Sequence, residues 1–512
     1  MCAELIFKYT PDITMMLDWL ASVNTFTIGI IVVLFALLVK WLTQRPGRYP
    51  PGPPGYPIIG SLPLLRRRGS RPYVIFRDLR AEFGDVFSVR VGRSLLVVIN
   101  GIDALKEAFI KRAEDFSDRP DTFRSSVVLK RNGIAQSSGQ HWKLTRTFAL
   151  STLREFGFGK RSLEARVMEE IRVFLEVLED QKGKIYDPKD CIQLSISNII
   201  CNIVFGKRFD HDDAKFWKLI ELLEESFRLS RTVSTAFNIP WLRYLPGDIF
   251  SLNKIRNNAN ELISYMHEQI NNHKNTFDPD NPRDFIDVFI KEQNRQSSSN
   301  AVFDDFNLEV TVLNLFVAGT ETTATTIRWT ILQLMYHQDI QARLRKEIDR
   351  VVGSSRFPTF NDKENMPYYS AVITEALRFG NIAPLSVPHG AQKDIEFRGM
   401  FIPKGSTIVA NLDSVHFDPS VFEKPEKFNP DRFLDADGKL NGKEKLVLAF
   451  SLGRRVCLGE SLARLELFLF LTSLIQRFEL HPEIPDKMPT GMPTKGLQSG
   501  PPDYKVKVVK IN

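Results

Sequence analysis

Residues 450–459 read FSLGRRVCLG, and this segment is the most informative stretch of the 512-residue chain. Cys457 lies just before a predicted helix, so its sulfur would meet free backbone N–H groups and the positive end of the helix dipole. Gly453 and Gly459 permit tight turns and a close approach of the backbone to something flat. Arg455 could hold an anion on the same face. These residues indicate a ligand cysteine, with a buried structural thiol as the alternative.

The surroundings of Cys457 in the sequence restrict the group that it could bind. No second Cys or His lies close to it, so the spacing does not fit a zinc site. A single axial thiolate with a flanking arginine suits haem. The other cysteines are Cys2, Cys191 and Cys201. Four cysteines in a chain of this length do not form a disulfide framework, so we expect a reducing compartment.

The composition excludes several classes of protein. Hydrophobic residues make up 43% and charged residues 25% of the chain, which rules out a largely disordered chain, a collagen-like chain and a polytopic membrane protein. Lys plus Arg is 68 and Asp plus Glu is 61, a formal excess of +7. This mild excess does not indicate a nucleic-acid binder, but it is compatible with an anionic membrane surface or an acidic partner protein.

Residues 19–39, WLASVNTFTIGIIVVLFALLV, contain no charged side chain. As a helix they would be about 31 Å long, enough for a bilayer core of about 30 Å. A cleaved signal peptide is the alternative, but the KWLTQRPG that follows lacks the expected small residues. The bases after the run, Lys40, Arg45 and Arg48, favour a cytoplasmic C-terminal side. We predict a single-pass transmembrane anchor with residues 1–18 in the lumen.

A proline-rich stretch, RPGRYPPGPPGYPIIG, follows the apolar run within residues 40–60. Repeated prolines exclude a helix and favour an extended, stiff spacer. A Pro-rich ligand for an aromatic groove is the alternative. We therefore predict a basic, Pro/Gly-rich linker at 40–60, followed by one large domain at 61–512.

The pattern of the large domain predicts a mainly α fold with small β-sheets. Two stretches, 85–100 and 397–411, alternate in hydrophobicity and contain glycine turns, as pairs of strands do. Long helical patterns occupy 161–182, 214–231, 254–275, 306–337, 338–352, 366–379 and 458–478.

The cysteine segment resembles the haem-thiolate signature of the cytochrome P-450 superfamily. Its pattern F-x-x-G-x-R-x-C-x-G is matched by Phe450, Gly453, Arg455, Cys457 and Gly459. The resemblance extends from about residue 45 to residue 510. It implies the cytochrome P-450 fold, with a single large haem domain and haem b bound through the Cys457 thiolate, and it makes Phe450 and Gly459 cofactor-binding residues.

A second motif, AGTETT at residues 318–323, lies within a long apolar helical pattern. Glycine and threonine in the middle of a helix are poor choices for stability alone. The resemblance implies an oxygen-activation segment. Thr322 would hold the activated oxygen by hydrogen bonding, Glu321 would feed protons through water, and Ala318 and Gly319 would leave space for dioxygen. A kinked core helix is the alternative.

Two further motifs acquire a role through the resemblance. Trp142 and Arg146 are one helical turn apart in WKLTR, and with His389 and Arg455 they would bind the haem propionates, since a guanidinium suits a carboxylate. Glu375 and Arg378 in ITEALRF face one side of a helix and can pair. With Arg432 of PDRF, this pair would lock the core behind the haem, a structural rather than a catalytic role.

Several longer stretches, among them NPRDFID and PHGAQKDIEFRGMFIPKG, resemble the vertebrate-type microsomal family 2 of the cytochromes P-450. The implied substrate-pocket residues are Phe123, Phe227, Phe316, Val317, Leu385, Val387 and Leu497. Apolar walls favour lipophilic substrates, such as fatty acids, related lipids, drugs and other xenobiotics. Residues 237–250 read FNIPWLRYLPGDIF and would either enter the membrane interface or pack on the core.

The resemblance implies a haem-thiolate monooxygenase of the endoplasmic reticulum membrane, with its catalytic domain on the cytoplasmic side and O2 as co-substrate. No flavin or nicotinamide motif is evident in the chain. Electrons would come from NADPH through a partner diflavin reductase, with a cytochrome b-type donor as an addition. Two alternatives stay open: a reductase-independent lipid hydroperoxide isomerase and a non-catalytic haem-binding sensor or carrier. The pair Glu321–Thr322 argues against both.

Overall fold

The fold was analysed in a computed structural model of the chain. It describes residues 25–43, 47–56, 59–66, 71–92, 94–122, 128–156, 161–210, 212–238, 247–296, 302–485, 487 and 499–511.

Helices dominate the described residues, which agrees with the predicted mainly α fold. Their bounds are α1 Thr25–Thr43, α2 Leu62–Arg66, α3 Pro72–Phe83, α4 Ile102–Lys106, α5 Gly139–Glu155, α6 Arg161–Asp180, α7 Lys189–Phe205, α8 Ala214–Asn238, α9 Leu252–Asn275, α10 Phe285–Arg295, α11 Asp305–Tyr336, α12 Gln338–Val351, α13 Pro367–Gly380, α14 Asp413–His416 and α15 Glu460–Arg477.

The strands form small sheets, as predicted. Their bounds are β1 Val86–Val91, β2 Ser94–Ile99, β3 Ile185–Tyr186, β4 His389–Gly390, β5 Ile395–Phe397, β6 Met400–Ile402, β7 Thr407–Ala410, β8 Phe478–Pro482 and β9 Val506–Lys510. One sheet has the order β1-β2-β7-β4, a second has β3-β9-β8, and β5 pairs with β6.

The two predicted strand stretches have different outcomes. Residues 85–100 form the antiparallel pair β1–β2, in which Val86 lies opposite Ile99. Residues 397–411 form more than one pair, because β5 begins earlier and turns into β6, whereas β7 joins the larger sheet parallel to β2. Hydrophobic alternation identifies strands but does not determine which sheet each one joins.

The core is built around α11, which packs along α7. Helix α11 begins after Asp304, whose side chain accepts the N–H of Asn307 and so caps the helix. Close packing of the two helices depends on Gly319, where a Cβ atom would lie 3.0 Å from Ile200 Cγ1. The long helix is thereby held rigidly in the middle of the domain.

The apolar N-terminal segment forms α1, which begins at Thr25. Its large apolar side chains from Ile28 to Leu38 are between 45% and 65% exposed. Residues 19–24 of the predicted anchor lie outside the described residues. Within the described ranges, no helix combines the length and the apolar character that a membrane crossing requires.

Candidate active site

Cys457 lies in a tight loop that joins a short 3-10 turn to helix α15. Its backbone N–H donates to the carbonyl oxygen of Phe450 at 2.9 Å, which closes the loop. Gly453 has a φ of 77°, and a Cβ atom there would overlap the carbonyl oxygen of Phe109. The helix begins at Glu460, two residues later than the sequence predicts. The loop shape therefore requires glycine at position 453.

The groups around the Cys457 thiol shift its pKa in opposite directions. The side chain is exposed, yet the protein packed around it desolvates the sulfur and raises its pKa. Backbone N–H groups of Gly459 and Glu460 and the charge of Arg146 act in the opposite direction. A metal cation bound to sulfur would deprotonate the thiol outright, so the loop fits a thiolate ligand.

A cluster of three arginines surrounds the approach to this loop. Arg455 is buried; it donates to the carbonyl oxygens of Ser117 and Ser137, each at 2.7 Å, and its guanidinium lies 3.8 Å from the Trp142 ring centroid. Arg119 is also buried and donates to the carbonyl oxygens of Ala135 and Val387. Arg146 donates to the carbonyl oxygen of Val456 at 2.6 Å.

We call these three cations the arginine cluster. In the described part of the chain, none of them forms an ion pair with an acidic side chain. Burial, and next the charge of Arg119, lowers the pKa of Arg455 to about 8, while Asp118 opposes this shift. Burial, with the charge of Arg146, lowers the pKa of Arg119 to about 10. The cluster is therefore suited to binding an anion.

Two buried ring nitrogens lie among the same side chains. Trp142 Nε1 and His389 Nδ1 have no hydrogen-bond partner within the described ranges. Burial, followed by the charges of Arg119 and Arg455, holds the pKa of His389 well below its usual value. Buried polar groups rarely stay unsatisfied, so both nitrogens indicate that a polar ligand completes this region.

These features fit the propionates and the iron of a haem group. Haem carries two carboxylates, which would compensate most of the charge of the arginine cluster and accept from Trp142. Cys457 would supply the axial thiolate. A Cβ atom at Gly459 would meet nothing within 4 Å, so the backbone there leaves room for a flat group.

The AGTETT segment lies in an uninterrupted part of α11. Ala318 is exposed, although most of the helix around it is buried. The Thr322 hydroxyl donates to the carbonyl oxygen of Ala318 at 2.8 Å. A side chain at position 319 would point at Ile200 of α7, so glycine at this position allows the two helices to pack closely. A role for Gly319 in leaving room for dioxygen stays a prediction.

Glu321 is held on the side of α11 that faces α7. Gln193 Nε2 donates to its Oε2 and the Thr325 hydroxyl to its Oε1, each at 3.2 Å. Burial raises the pKa of Glu321, and the charge of Glu224 raises it further. A carboxyl with a raised pKa is protonated more often near neutral pH, and it is therefore suited to proton transfer.

The predicted structural residues lie together in the core. Arg378 Nε and a terminal nitrogen donate to the two Glu375 oxygens, each at 2.7 Å, and both side chains are fully buried. Arg432 Nε lies 3.3 Å from Glu375 Oε1, and the backbone N–H of Asn429 donates to the same oxygen. Both arginines thus have an acidic partner, Glu375, within the protein.

The predicted substrate-pocket residues differ in how deeply they are buried. Phe316 is fully buried and its ring centroid lies 6.2 Å from that of Phe205. Its place in a substrate pocket stays a prediction. Val387 is 44% exposed, and those that are half-buried are Phe227, Val317 and Leu385. Phe123, Leu497 and most of the segment 237–250 lie outside the described residues.

A surface recess of the described residues lies elsewhere. It has a volume of about 1100 Å³ and its lining includes Arg343, Lys363 and Tyr368. None of the predicted site residues contributes to it. Its open, charged walls differ from the apolar enclosure that binds lipophilic molecules.

Two residues of the site were missed by sequence reasoning, namely Arg119 and Gln193. Arg119 lies in SDRPDT and Gln193 in a helix that is buried on all sides. Neither belongs to a motif with a recognisable spacing. A buried cation without a counter-charge is a property of the tertiary structure, and no sequence signal could have identified it.

Comparison with known proteins identifies close relatives. A family model described as Cytochrome P450 matches residues 50–508. Cytochrome P450 2F3 of Capra hircus is 40% identical over 95% of this chain and 99% of the relative. Cytochrome P450 2B2 of Rattus norvegicus is 39% identical over 94% and 97%. Cytochrome P450 2B4 of Oryctolagus cuniculus is 40% identical over 93% and 96%.

Proposed function

Because this chain belongs to the cytochrome P450 family and is a haem monooxygenase of that family, we propose that it inserts one oxygen atom of O2 into lipophilic substrates. The predicted family membership is confirmed by the match over most of the chain. The substrates are fatty acids, related lipids or xenobiotics. The second oxygen atom leaves as water, and an NADPH-dependent reductase supplies the electrons.

The observation that carries this proposal is the arginine cluster beside the Cys457 loop. Three cations without acidic partners in the described ranges, together with an unsatisfied Trp142 Nε1, fit a ligand with two carboxylates. Haem bound through Cys457 would supply the oxidising chemistry, because a thiolate ligand favours O–O cleavage. Arg119, Arg146 and Arg455 would hold the propionates.

The distal residues of α11 provide hydrogen bonding and protons. Thr322 donates to a backbone carbonyl at rest, and rotation of its hydroxyl would let it hold the activated oxygen. Glu321, with its raised pKa, would pass protons to this region. Gln193 and Thr325 orient its carboxyl group. Ala318 leaves exposed surface beside Thr322 for a small ligand.

The electron donor and the membrane location follow from other parts of the chain. No flavin or nicotinamide motif is evident, so a separate diflavin reductase, supplemented by a cytochrome b-type protein, would deliver electrons. The exposed apolar side chains of α1 support attachment to the endoplasmic reticulum membrane, with the anchor at 19–39, residues 1–18 in the lumen and the linker at 40–60. The catalytic domain at 61–512 would face the cytoplasm.

The proposed substrate class rests on accessible apolar side chains that lie outside the apolar N-terminal segment of the sequence. Val387 is 44% exposed, and Leu385 and Val317 are half-buried. Accessible apolar surface of this kind favours lipophilic ligands. Phe227 is a further candidate for contact with substrate.

The decisive experiment supplies purified full-length protein with NADPH, a diflavin reductase and isotopically labelled dioxygen, and offers a panel of fatty acids and lipophilic drugs. Mass spectrometry should detect one labelled oxygen atom in the product. The Cys457→Ala variant should lose this product, whereas Cys201→Ala, the same change at another free cysteine, should retain it.

The other outcomes distinguish the remaining functions. Turnover of lipid hydroperoxides without NADPH, and no labelled product in the first assay, would favour a hydroperoxide isomerase. If neither assay yields product while haem is still bound, a haem-binding sensor or carrier would be favoured. Equal labelling in Cys457→Ala and wild type would contradict the proposed thiolate ligand.

A further inference from the structure

Two serine hydroxyls join the Cys457 loop to a segment that carries two of the predicted pocket residues. Ser386 Oγ lies 3.1 Å from Ser451 Oγ, and either hydroxyl can donate the hydrogen bond. Ser386 stands between Leu385 and Val387, whereas Ser451 belongs to the segment 450–459 that contains Cys457. The two serines are 65 positions apart in the sequence, so their contact links two separate parts of the fold.

The backbone at both serines has a conformation that glycine adopts more readily. The φ angle is 53° at Ser386 and 63° at Ser451, in the left-handed region that residues with a Cβ atom rarely occupy. Each conformation is closed by a backbone hydrogen bond, from Ser386 to the carbonyl oxygen of Ala383 at 3.0 Å and from Ser451 to that of Leu448 at 2.9 Å. Glycine would fit either turn with less strain but has no hydroxyl, so the hydroxyl contact gives serine a reason to be there.

The segment around Ser386 has a second attachment to the predicted cofactor site. Arg119 of the arginine cluster donates to the carbonyl oxygens of Val387 at 2.7 Å and Pro388 at 3.0 Å. The side chains remain accessible, since Val387 is 44% exposed and Leu385 is half-buried. The backbone of this segment is therefore tied to the arginine cluster and to the Cys457 loop, while its apolar side chains stay available to a ligand.

We propose that Ser386 is a positioning residue for substrate selectivity, whose hydroxyl contact with Ser451 holds Leu385 and Val387 in a fixed place relative to Cys457. The inference rests on the proposed function, because a lipophilic substrate is oriented by the apolar side chains that it contacts. Ser386 acts through its two neighbours rather than on the substrate. A small displacement of these neighbours changes which carbon of the substrate is presented for oxidation.

The first readout is the ratio of products oxidised at different carbons, measured on the panel compound that gives most product in the labelled-oxygen assay. In the haem-loaded full-length protein, Ser386→Ala and Ser451→Ala should each change this ratio about threefold or more. The double variant should change it no further, because both substitutions remove the same contact. Ser461→Ala, the same change at an exposed serine of α15, should keep the wild-type ratio. An unchanged ratio in either single variant, or independent effects in the double variant, overturns the proposal.

A further variant, Ser386→Gly, separates positioning from simple stabilisation. It lacks the hydroxyl, as Ser386→Ala does, but it relieves the strain of the positive φ angle. Its denaturant midpoint of unfolding should therefore be higher than that of Ser386→Ala, while its product ratio should change to the same extent. A product ratio that follows the midpoint, with Ser386→Gly closer to the wild type than Ser386→Ala, assigns the effect to the backbone and overturns a role for the hydroxyl.

The last readout does not depend on turnover. Hydrogen–deuterium exchange, followed by mass spectrometry, reports local opening of the backbone. Ser451→Ala should speed exchange in the distant peptide 382–388, and Ser386→Ala should do so in 448–453, whereas Ser461→Ala should change neither. Unchanged exchange in both distant peptides overturns the proposed contact even in a protein that makes product. Faster exchange in both supports the contact even if the labelled-oxygen assay shows that the proposed function is wrong.

Discussion

Two buried arginine clusters of this molecule differ in what neutralises them. Arg378 and Arg432 share the carboxylate of Glu375, and this cluster is complete within the protein. Arg119 and Arg455 donate to backbone carbonyls, and neither forms an ion pair with an acidic side chain of the described residues. We call Glu375, Arg378 and Arg432 the closed cluster and the arginine cluster the open cluster. The closed cluster holds the core together, whereas the open cluster is completed by a bound anion. The presence of an internal acidic partner therefore distinguishes a structural cluster from a binding site.

The largest effect is expected from a substitution that breaks the closed cluster. Glu375→Gln leaves two buried arginines without their counter-charge and should lower the free energy of unfolding by about 3–5 kcal/mol. Chemical denaturation of the variant and the wild type measures this loss of stability. The matched control is Glu364→Gln, an acid-to-amide change at an exposed position. Equal midpoints for the two variants would show that the closed cluster contributes no stability.

A smaller effect, of a different kind, is expected in the open cluster. Arg146→Met removes one of three mutually repelling cations, so the haem-free protein should be no less stable. Haem affinity should fall about 10- to 100-fold, because a charge-assisted hydrogen bond contributes about 1.5–3 kcal/mol. Haem transfer to an excess of a scavenging apoprotein measures this loss, with Arg154→Met of the same helix as the control. A large loss of stability without loss of haem would make the open cluster structural.

Glu466 of α15 sharpens the comparison, since it is a buried acid that forms no ion pair with a cation of the described residues. Its pKa is about 8 in the folded protein and about 4.3 when unfolded. Below pH 4.3 its contribution to stability is fully present, and it is lost as pH rises through 8. Between pH 6 and 7 the wild type should lose up to about 1.4 kcal/mol relative to Glu466→Gln. Denaturation curves at both pH values would contradict this if the difference stays constant.

The smallest expected effect concerns one unsatisfied donor of the open cluster. Trp142→Phe keeps a ring beneath Arg455 but removes Nε1, so haem affinity should fall about fivefold, the equivalent of one hydrogen bond of about 1 kcal/mol. The stability of the haem-free protein should not change. Trp329→Phe is the counterpart, because its Nε1 donates to the carbonyl oxygen of Ser499 at 2.9 Å. That variant should lose stability and retain haem affinity.

The parts of the fold that were predictable have a periodic pattern. The alternation in 85–100 predicts β1 and β2, and the amphipathic period in 338–352 predicts α12 within one residue at each end. Helix α7 was missed because every residue from 191 to 201 is buried. A helix that is surrounded by core has no polar face, and so it lacks the period that identifies helices.

The site could be predicted only where its residues form local motifs. Cys457, Thr322 and Glu375 belong to short patterns that can be read in one stretch. Arg119 contributes to the open cluster through contacts with segments far away in the sequence, which only the folded chain reveals. The role of Phe316 stays a prediction, because the sequence does not say which face of α11 meets α7.

The attachment of the Cys457 loop has a consequence for the order of folding. Arg455 donates hydrogen bonds to carbonyl groups that lie 318 to 338 positions earlier in the chain. Gly453 packs on the backbone of Phe109. Contacts between such distant segments form slowly, because a very long loop must close first. Residues 450–459 must therefore have left the ribosome before this loop can close. A nascent chain that ends before residue 450 lacks Cys457 and its loop, and so it has no thiolate with which to hold a haem group.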